Sequence, residues 1–573
     1  MRNGLQALNW GGFFPGVRLG WRTPVALAAV LALVFALLRW ASQAPPILHG
    51  PKLELGSGAL VLYAAYSLAR MLGAYLLSLA FTFTYGTWAA RSAAARAILL
   101  PLLDVLQSVP ILSFLPAVLL AATAIFPQGI AVELAAVVLL CTSQVWNLTF
   151  AWYQSLTTEP ADLDEAARLL RLGGAQRLRV LDLPFATQTL IWNSMMSWAG
   201  GWFFLMAAES FRVGDRDFRL PGLGSFLQSA AEQGAWGALA IGVVVLVGLI
   251  LLLDALVWRP LIAWSYRFKL DMVPGEPQPR SRVLNWLRQA RVLRTGATRL
   301  AEMAKPALRQ CRQTGLCTVI ARIGRGLVMV VGVAAIVGAV AALVRLVPAA
   351  ASFFTLSPSE WLWLVGALAA TAARVACALV LAAAWTIPLA VVAATRPRLR
   401  AVVQPVAQTL ASIPATAFFP LLILWLTQAG IGLGLVAVFL MLLGSQWYLL
   451  FNALAGVASI PQDLIFNARL LRLGRWQRWR ALWLPAMFPF LITGGITAAG
   501  GAWNASIVAE HAHIQGRTLQ SVGVGAAIAS ATAEGNMVLL YAATSVMVLT
   551  VVGVNRLVWR RLYGIAERRF RLD

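Results

Sequence analysis

PADLDEAARLLRLGGAQRLRVLDLP, residues 160–184, is a polar island set between long apolar runs, and it occurs twice. The second copy, PQDLIFNARLLRLGRWQRWRALWLP, occupies residues 461–485, 301 positions later without a gap. Ala-Arg-Leu-Leu-Arg-Leu-Gly is identical at 167–173 and 468–474. In the first copy Asp162 is placed to cap a helix, and Glu165 three residues on completes a capping-box pattern. Ala166, Leu169 and Leu170 then share one face, while Glu165, Arg168 and Arg171 share another. Gly173-Gly174 supplies the expected stop, because glycine tolerates the left-handed conformation past a helix end. The stretch therefore reads as a short amphipathic helix, a turn, and a basic run leading into the next apolar segment.

What flanks the islands decides the class. Hydrophobic residues make up 60% of the chain and charged ones only 12%, in near-uncharged runs of about twenty residues that suit a helix crossing the hydrocarbon. The fold class is thus all-α integral membrane. A net charge of +24 would suggest nucleic acid in a soluble protein. In a membrane protein it reads as arginine gathered in cytoplasmic loops against anionic lipid, and no nucleic-acid partner is expected. Cys141, Cys311, Cys317 and Cys377 lack metal-ligand spacing, so neither disulfide nor metal is expected. The apolar run from Thr23 to Arg39 imitates a signal peptide, but Pro45 falls where cleavage would be needed.

Around each island, apolar runs place six spans. They fall near 24–41, 60–85, 99–125, 130–152, 185–208 and 236–262, then near 327–347, 362–394, 402–427, 432–456, 485–508 and 537–560. Four segments result: a cytoplasmic lead (1–22), a first six-helix domain (23–264), a basic cytoplasmic linker (265–322) and a second six-helix domain (323–573). The linker, with Arg280, Arg288, Arg294 and Arg309 among its cations, suits a lipid-facing amphipathic tether. Similarity between the halves goes beyond hydropathy. Ser-Val-Pro110 with Phe114-Leu-Pro116 matches Ser-Ile-Pro414 with Phe418-Phe-Pro420, and Ser143-Gln144 matches Ser445-Gln446. Trp202, Glu209 and Trp258-Arg259 match Trp503, Glu510 and Trp559-Arg560. Arginine placement puts both termini and both islands in the cytoplasm. Six spans per half make the repeats parallel, with a pathway between them.

Glu165-Ala166-Ala167, followed by Gly173 and Leu183-Pro184, resembles the EAA motif of binding-protein-dependent ABC transporter permeases. Ser67-Leu-Ala-Arg70, Ser108-Val-Pro110, Ala208-Glu209 and Ala509-Glu510 resemble the nitrate, sulfonate, taurine and bicarbonate branch. The resemblance covers both halves and omits the linker. It implies twelve transmembrane helices, as two parallel six-helix type I importer repeats fused in one chain of a bacterial inner membrane. It also implies two ABC ATPase subunits on the cytoplasmic face and a periplasmic solute-binding protein. The only lysines are Lys52, Lys269 and Lys305, and none follows a glycine-rich phosphate loop. ATP and Mg therefore belong to the partner ATPase; no cofactor is expected on this chain, and it is not an enzyme. The expected cargo is a small anion such as nitrate, a sulfonate, bicarbonate or an organic acid.

By this resemblance Glu165, Ala166, Ala167, Arg168, Arg171 and Gly173 couple to the ATPase, as do Ala468, Arg469, Arg472 and Gly474. The second copy departs from the motif, with Phe466-Asn467-Ala468 replacing Glu-Ala-Ala. Its docking contact is either weaker or fitted to a differently shaped surface. Span five is the family's pathway lining, which nominates Asn193, Ser197, Trp198 and Trp202 with Thr497, Trp503 and Asn504. Its glycines serve either the pathway or close helix packing. Arg70 and Arg374 near the outer ends of the second spans either attract an entering anion or pair with glutamate, helix carbonyls or lipid headgroups. Glu209 and Glu510 are placed at the outer mouth, paired with those arginines or facing the binding protein. His511 and His513 stand two apart with no third ligand, as solvated loop residues without a metal. An ion-coupled secondary transporter would need mid-span carboxylates, and a membrane enzyme would need a clustered His/Asp/Glu set; the sequence offers almost none of the first and not the second.

Overall fold

The computed structural model describes residues 50–51, 53–213, 216–268, 283–285, 355–458, 460, 462–514 and 517–569. The lead, the expected spans at 24–41 and 327–347, and the linker's arginines from Arg280 to Arg312 lie outside those residues. In the first half, α1 (Ser57–Phe81) continues through a π-helical turn to Arg91. Then come α2 (Ala93–Ser108), α3 (Ile111–Ile125), α4 (Gln128–Thr157), the island helix α5 (Ala161–Leu169) and α6 (Leu183–Glu209). A short antiparallel hairpin, β1 (Arg212–Val213) and β2 (Arg216–Asp217), leads to α7 (Leu223–Glu232) and α8 (Trp236–Leu253). The second half repeats the order. It runs α9 (Pro358–Thr395), α10 (Pro397–Ser412), α11 (Phe419–Gln428), α12 (Leu433–Ala458), the island helix α13 (Gln462–Leu470) and α14 (Leu484–Ala509). The hairpin β3 (His511–Ile514) and β4 (Arg517–Gln520), α15 (Val524–Ala533) and α16 (Met537–Val554) complete it. Even local irregularities recur: π-helical turns at Leu178–Asp182 and Asp254–Trp258 return at Trp479–Trp483 and Asn555–Trp559.

Seven helices among the described residues are long and apolar enough to cross a membrane, or eight if α2 and α3 form one broken span. Twelve are not reached. Two expected spans lie outside the described residues, and two more positions are helical but fall short of that test. One of these is α6, interrupted by Thr187, Gln188, Asn193, Ser194 and Ser197. The other is the pair α10–α11, broken at Pro414. The expected third span is likewise not straight: α2 and α3 meet at 97°. Pro110 has no N–H to continue the ladder, and it holds Val109 extended at ψ 126°. Pro116 sits inside α3 without ending it.

Apolar residues from both halves share one core, with Leu112, Leu115 and Leu139 in the same cluster as Val436, Met441, Trp503 and Ile528. The halves are therefore packed together, not merely tethered. On the outside, Val61, Val244, Leu362 and Leu435 are exposed on long helices, as hydrocarbon-facing positions require.

Candidate functional site

The islands differ from the sequence expectation in how they start and stop. Pro160 itself occupies the cap of α5, and no side chain caps the helix, so Asp162 and Glu165 do not form the expected box. The Pro160 carbonyl already accepts from the Leu163 and Asp164 N–H groups. The chain leaves the helix through Arg171 at φ 47° and Arg472 at φ 48°, not through glycine. A left-handed non-glycine residue costs roughly 1 kcal/mol. The turn offsets this with two bonds, Arg171 N–H to the Arg168 carbonyl at 3.0 Å and Leu172 N–H to the Ala167 carbonyl at 3.1 Å. Gly173 instead begins the next short helix, donating its N–H to Gln176 Oε1 at 3.1 Å.

Only Ala167 of α5 is buried; Glu165, Ala166, Arg168 and Arg171 are exposed, and Leu169 and Leu170 stand 78% and 72% in the open. In the second copy Ala468 is buried, while Phe466, Leu470, Leu471, Arg472 and Trp476 are exposed. Arg469 belongs to this set by sequence, and its side chain is outside the described atoms.

Beneath the first island lies an ionic hub. Arg177 reaches Glu159 at 2.8 Å, Asp164 at 2.6 Å and Asp182 at 3.2 Å. Asp182 is fully buried at the head of α6 and is also bonded to Arg91. Burial works against the Arg177 charge, but the bonds to Asp164, Glu159 and Asp182 outweigh it and raise its pKa. The same bond to Arg177 holds the Asp164 carboxyl below the usual carboxylate range. One side chain thus ties the island to the start of α6. Under the repeat, Glu159, Asp164 and Asp182 become Ile460, Ile465 and Trp483. These belong to an apolar cluster with Ala468, Leu482 and Met487. Arg478 keeps the place of Arg177, and its Nε is buried without a partner.

At the far end of α6 the expected mouth residues form a buried staple. Arg70 bonds Glu209 at 2.7 Å and clasps Glu133 through Nε and Nη2 at 2.7 and 2.6 Å. Glu209 also accepts from Ser67 Oγ at 2.7 Å and from the Gly224 N–H at 2.8 Å, and Ser67 accepts the Leu223 N–H at 2.9 Å. The second half repeats this with Arg374, Glu510, Thr371, Gly525 and Val524, at 2.7, 2.8, 3.0 and 2.9 Å. Both glutamates are wholly buried, so neither opens to a mouth. They pin the first turns of α7 and α15, satisfying N–H groups that a helix start leaves unpaired. Gly222 and Gly523 are required by space, since a Cβ there would lie 2.3 Å and 2.1 Å from the nearest atoms of the Glu209 and Glu510 carboxylates.

Two cavities lie between the halves. The one nearer the islands, called inner on that ground alone, is about 300 Å³ and is lined by α6 from Met196 to Phe204 and by α14 from Ile496 to Asn504. The outer one, about 630 Å³, begins at Met206 on α6 and Ile507 on α14. Both helices pass the cavities in the same direction, so both islands stand at one end. The bend at Pro110 walls the inner cavity, and α3 beyond it walls the outer. Between them the Leu112 N–H is held by Asn504 Oδ1 at 3.4 Å, and Phe203 meets Phe419 edge-on at 6.3 Å.

Of the pathway residues nominated by sequence, Thr497, Trp503 and Asn504 line the inner cavity. The first-half set does not. Ser197 is buried and donates to the Gln144 carbonyl at 3.1 Å. Trp198 packs between Tyr75 and Trp258, Trp202 is buried, and Asn193 bonds the Thr189 carbonyl at 2.9 Å. Sequence reading missed Gln107, Trp146, Asn147, Trp447, Tyr448 and Trp559. The signal was available in Ser143-Gln144 and Ser445-Gln446, the matched polar pairs just before the Trp146 and Trp447 stretches. His511 lines the outer cavity.

Span-five glycines separate by space. A Cβ at Gly201 would meet Gln144 Nε2 and Met71 Cε at 2.8 Å, and one at Gly495 would meet Trp559 at 2.7 Å, so these serve packing. Gly500 has nothing within 4 Å and lines the inner cavity. Gly201→Val should cost about 2 kcal/mol by overpacking, while Gly500→Val should melt like the parent yet slow transport. Thermal unfolding in detergent beside uptake checks both; equal melting losses would erase the distinction.

Residues 82–258 and 386–572 each match the family described as binding-protein-dependent transport system inner membrane component. The chain is 33% identical over 141 residues to the bicarbonate transport system permease protein of Synechocystis sp., covering 25% of this chain and 49% of that protein. It is 28% identical over 242 residues to the glycine betaine transport system permease protein of Bacillus subtilis, covering 39% and 79%. It is 30% identical over 147 residues to the taurine transport system permease protein of Escherichia coli, covering 25% and 50%. The chain spans about half the length of the bicarbonate and taurine permeases it matches.

Proposed function

Because the chain belongs to the binding-protein-dependent transport system inner membrane components, with that domain present twice, we propose that it is a two-lobed permease of an ATP-driven importer. The observation that carries this reading is the pair of islands at one end, each offering bare leucines and each joined to a helix that walls the inner cavity. A short helix with exposed apolar side chains needs a partner to cover them. In this reading the islands face the cytoplasm of a bacterial inner membrane, both termini lie on that side, and two ATPase subunits grip the islands. Those subunits supply ATP and Mg; this chain makes and breaks no bonds. A periplasmic binding protein delivers the solute to the hairpin end. Closure of the ATPase pair draws α5 and α13 together, and α6 and α14 rock about the cavities to switch access. The bicarbonate relative favours a small anionic solute, and the taurine and betaine relatives extend the range to zwitterions that carry a sulfonate or a carboxylate.

Gly173 and Gly474 provide the test. Neither needs its freedom internally: φ is −64° and −63°, and a Cβ would meet only a glutamine oxygen at 3.6 and 3.4 Å. Gly173→Leu with Gly474→Leu should therefore leave folding and insertion intact while blocking close approach of the ATPase. Transport-stimulated ATP hydrolysis should drop to the basal rate; unchanged stimulation in a normally inserted variant would refute the docking role.

A further inference from the structure

We propose that Asp104, Arg556 and Arg560 form an ionic latch between the two halves, which holds them together at the island end of the inner cavity and sets how readily that end opens. From the importer reading it takes only that the inner cavity lies on the solute's path. Three observations carry it. First, the latch stands on a seam between the halves. Val105 and Val109 of α2 share one apolar cluster with Val548 and Val552 of α16. Beside that seam Asp104, from the first half, borders a space of only about 20 Å³ with Arg556, Arg560 and Tyr563 from the second. Both guanidinium charges act on the Asp104 carboxylate. Ionised side chains within a membrane-crossing element are costly, and they are kept where they have a partner and a use.

Second, the cluster is placed where a hold would govern access. Asn555 and Ile496 line both this small space and the inner cavity, and Gln107, one turn along α2 from Asp104, lines the inner cavity too. α2 starts on the island side, since Arg91 just before it bonds Asp182 where the island joins α6. Asp104 therefore stands between the inner cavity and the islands. The valines alone would hold this seam weakly. Lipid tails are as apolar as valine, so no hydrophobic force favours valine on valine over valine on lipid. Opposite charges in a low-dielectric setting attract strongly at contact and oppose separation.

Third, two matched differences between the repeats put the charges across the seam. Pro101, Pro110 and Pro116 match Pro405, Pro414 and Pro420, so Asp104 corresponds to Gln408. Trp258-Arg259 matches Trp559-Arg560, so Asp254 corresponds to Asn555 and Ala255 to Arg556. In the first half Arg259 is held within its own half by Asp254, at 2.7 Å. In the second half that acid is gone and residues 552–563 contain no other; the acid stands instead across the seam, at Asp104. A fused chain can carry a latch on one seam only, whereas a pair of identical subunits would carry it on both or on neither. Rocking of the halves then parts Asp104 from Arg556 and Arg560 on that one seam.

The experiment is thiol labelling of the inner cavity from each face of the membrane. Gly500→Cys is placed in a full chain whose Cys141, Cys311, Cys317 and Cys377 are replaced by alanine. Inside-out and right-side-out vesicles are then exposed to a membrane-impermeant maleimide. Leu170→Cys, on the exposed island, reports which vesicles present the islands, and a thermal melt shows that each variant is folded. We expect labelling from the island face to rise about tenfold with Asp104→Asn and with Arg556→Gln, as the minor open state gains population. The charge swap, Asp104→Arg with Arg556→Asp, should return it toward the parent rate. Asp254→Asn, which breaks an ion pair within one half, should leave it unchanged. Unchanged labelling in folded Asp104→Asn and Arg556→Gln, a folded swap that restores nothing, or an equal rise with Asp254→Asn would each overturn the proposal. Misfolding of both single variants would overturn it too, since the cluster would then serve assembly and not access. The chain is expressed without an ATPase, so failure here leaves the docking role of the islands untouched. A failed Gly173 and Gly474 test would likewise leave the latch standing.

Discussion

Arg177→Ala should collapse the first island's attachment to α6, while Arg478→Ala at the matching position should be close to neutral. In the parent, Arg177 faces three carboxylates, two of them almost wholly buried: Asp182 at 0% and Glu159 at 4% side-chain exposure. Removing the guanidinium leaves Glu159 with no ion-paired cation among the described residues, and Asp182 with Arg91. Stranding a buried charge costs about 3–5 kcal/mol; because Arg91 remains, the lower end of that range is expected. At Arg478 the three matching positions hold no acid, since Ile460, Ile465 and Trp483 stand there, and its Nε is buried unpaired. Deleting it removes an unpaired polar group from an apolar cluster. Differential scanning of the detergent-solubilised variants, with ATP hydrolysis in the assembled transporter, reads both effects. Arg177→Ala should lower the melting temperature and uncouple hydrolysis from transport, and Arg478→Ala should do neither. Equal losses at the two sites would mean that the ionic hub is not what holds the first island.

That contrast marks where sequence reasoning succeeded and where it ran out. The islands, the repeat and seven of the spans, eight with the broken third, were legible, because hydropathy and a shared spacing report directly on helices that must satisfy their own backbone in lipid. The end of the island helix was misassigned to Gly173 because glycine is the common left-handed residue. Which residue turns depends on backbone bonds such as Leu172 to Ala167, which composition does not encode. The cavity was half legible. Span five was named, but its first-half polar residues turn into their own bundle, and the walls come from α2, α4, α12 and the end of α16 as well. Rotation about a helix axis is set by packing against neighbours, and a sequence of small residues such as Ser-Trp-Ala-Gly-Gly leaves it open. The pairing of Arg70 with Glu209 was one of the alternatives the sequence left open. Its burial, and its hold on the next helix, were visible only as the repeated Gly222-Leu-Gly224 and Gly523-Val-Gly525, whose spacing went unread.

The staple yields the second large effect, and here too the halves should part. Glu209→Ala leaves Arg70 clasped in two bonds by Glu133, so its charge stays compensated. What is lost is the acceptor for Ser67 and for the Gly224 N–H, hydrogen bonds worth about 1–2 kcal/mol each when a buried donor is left unmet. In the second half Gly434 lies against the free edge of the Arg374 guanidinium, 3.5 Å from a Cβ placed there, and residues 431–437 contain no acid. Glu510→Ala therefore strands the cation as well as Thr371 and the Gly525 N–H, and should cost about 3–5 kcal/mol. A carboxylate supplied beside the guanidinium should repair it: Gly434→Glu combined with Glu510→Ala should recover part of the lost melting temperature. The same Gly434→Glu change in the parent chain should be near neutral, because the arginine is already paired. Hydrogen exchange of the α15 backbone would show where the loss falls, with Val524 and Gly525 deprotected first. A Glu209→Ala variant as unstable as Glu510→Ala would mean that Glu133 contributes nothing to holding Arg70. No rescue by Gly434→Glu would mean that the glutamate's grip on α15, not its charge, is what the second half depends on.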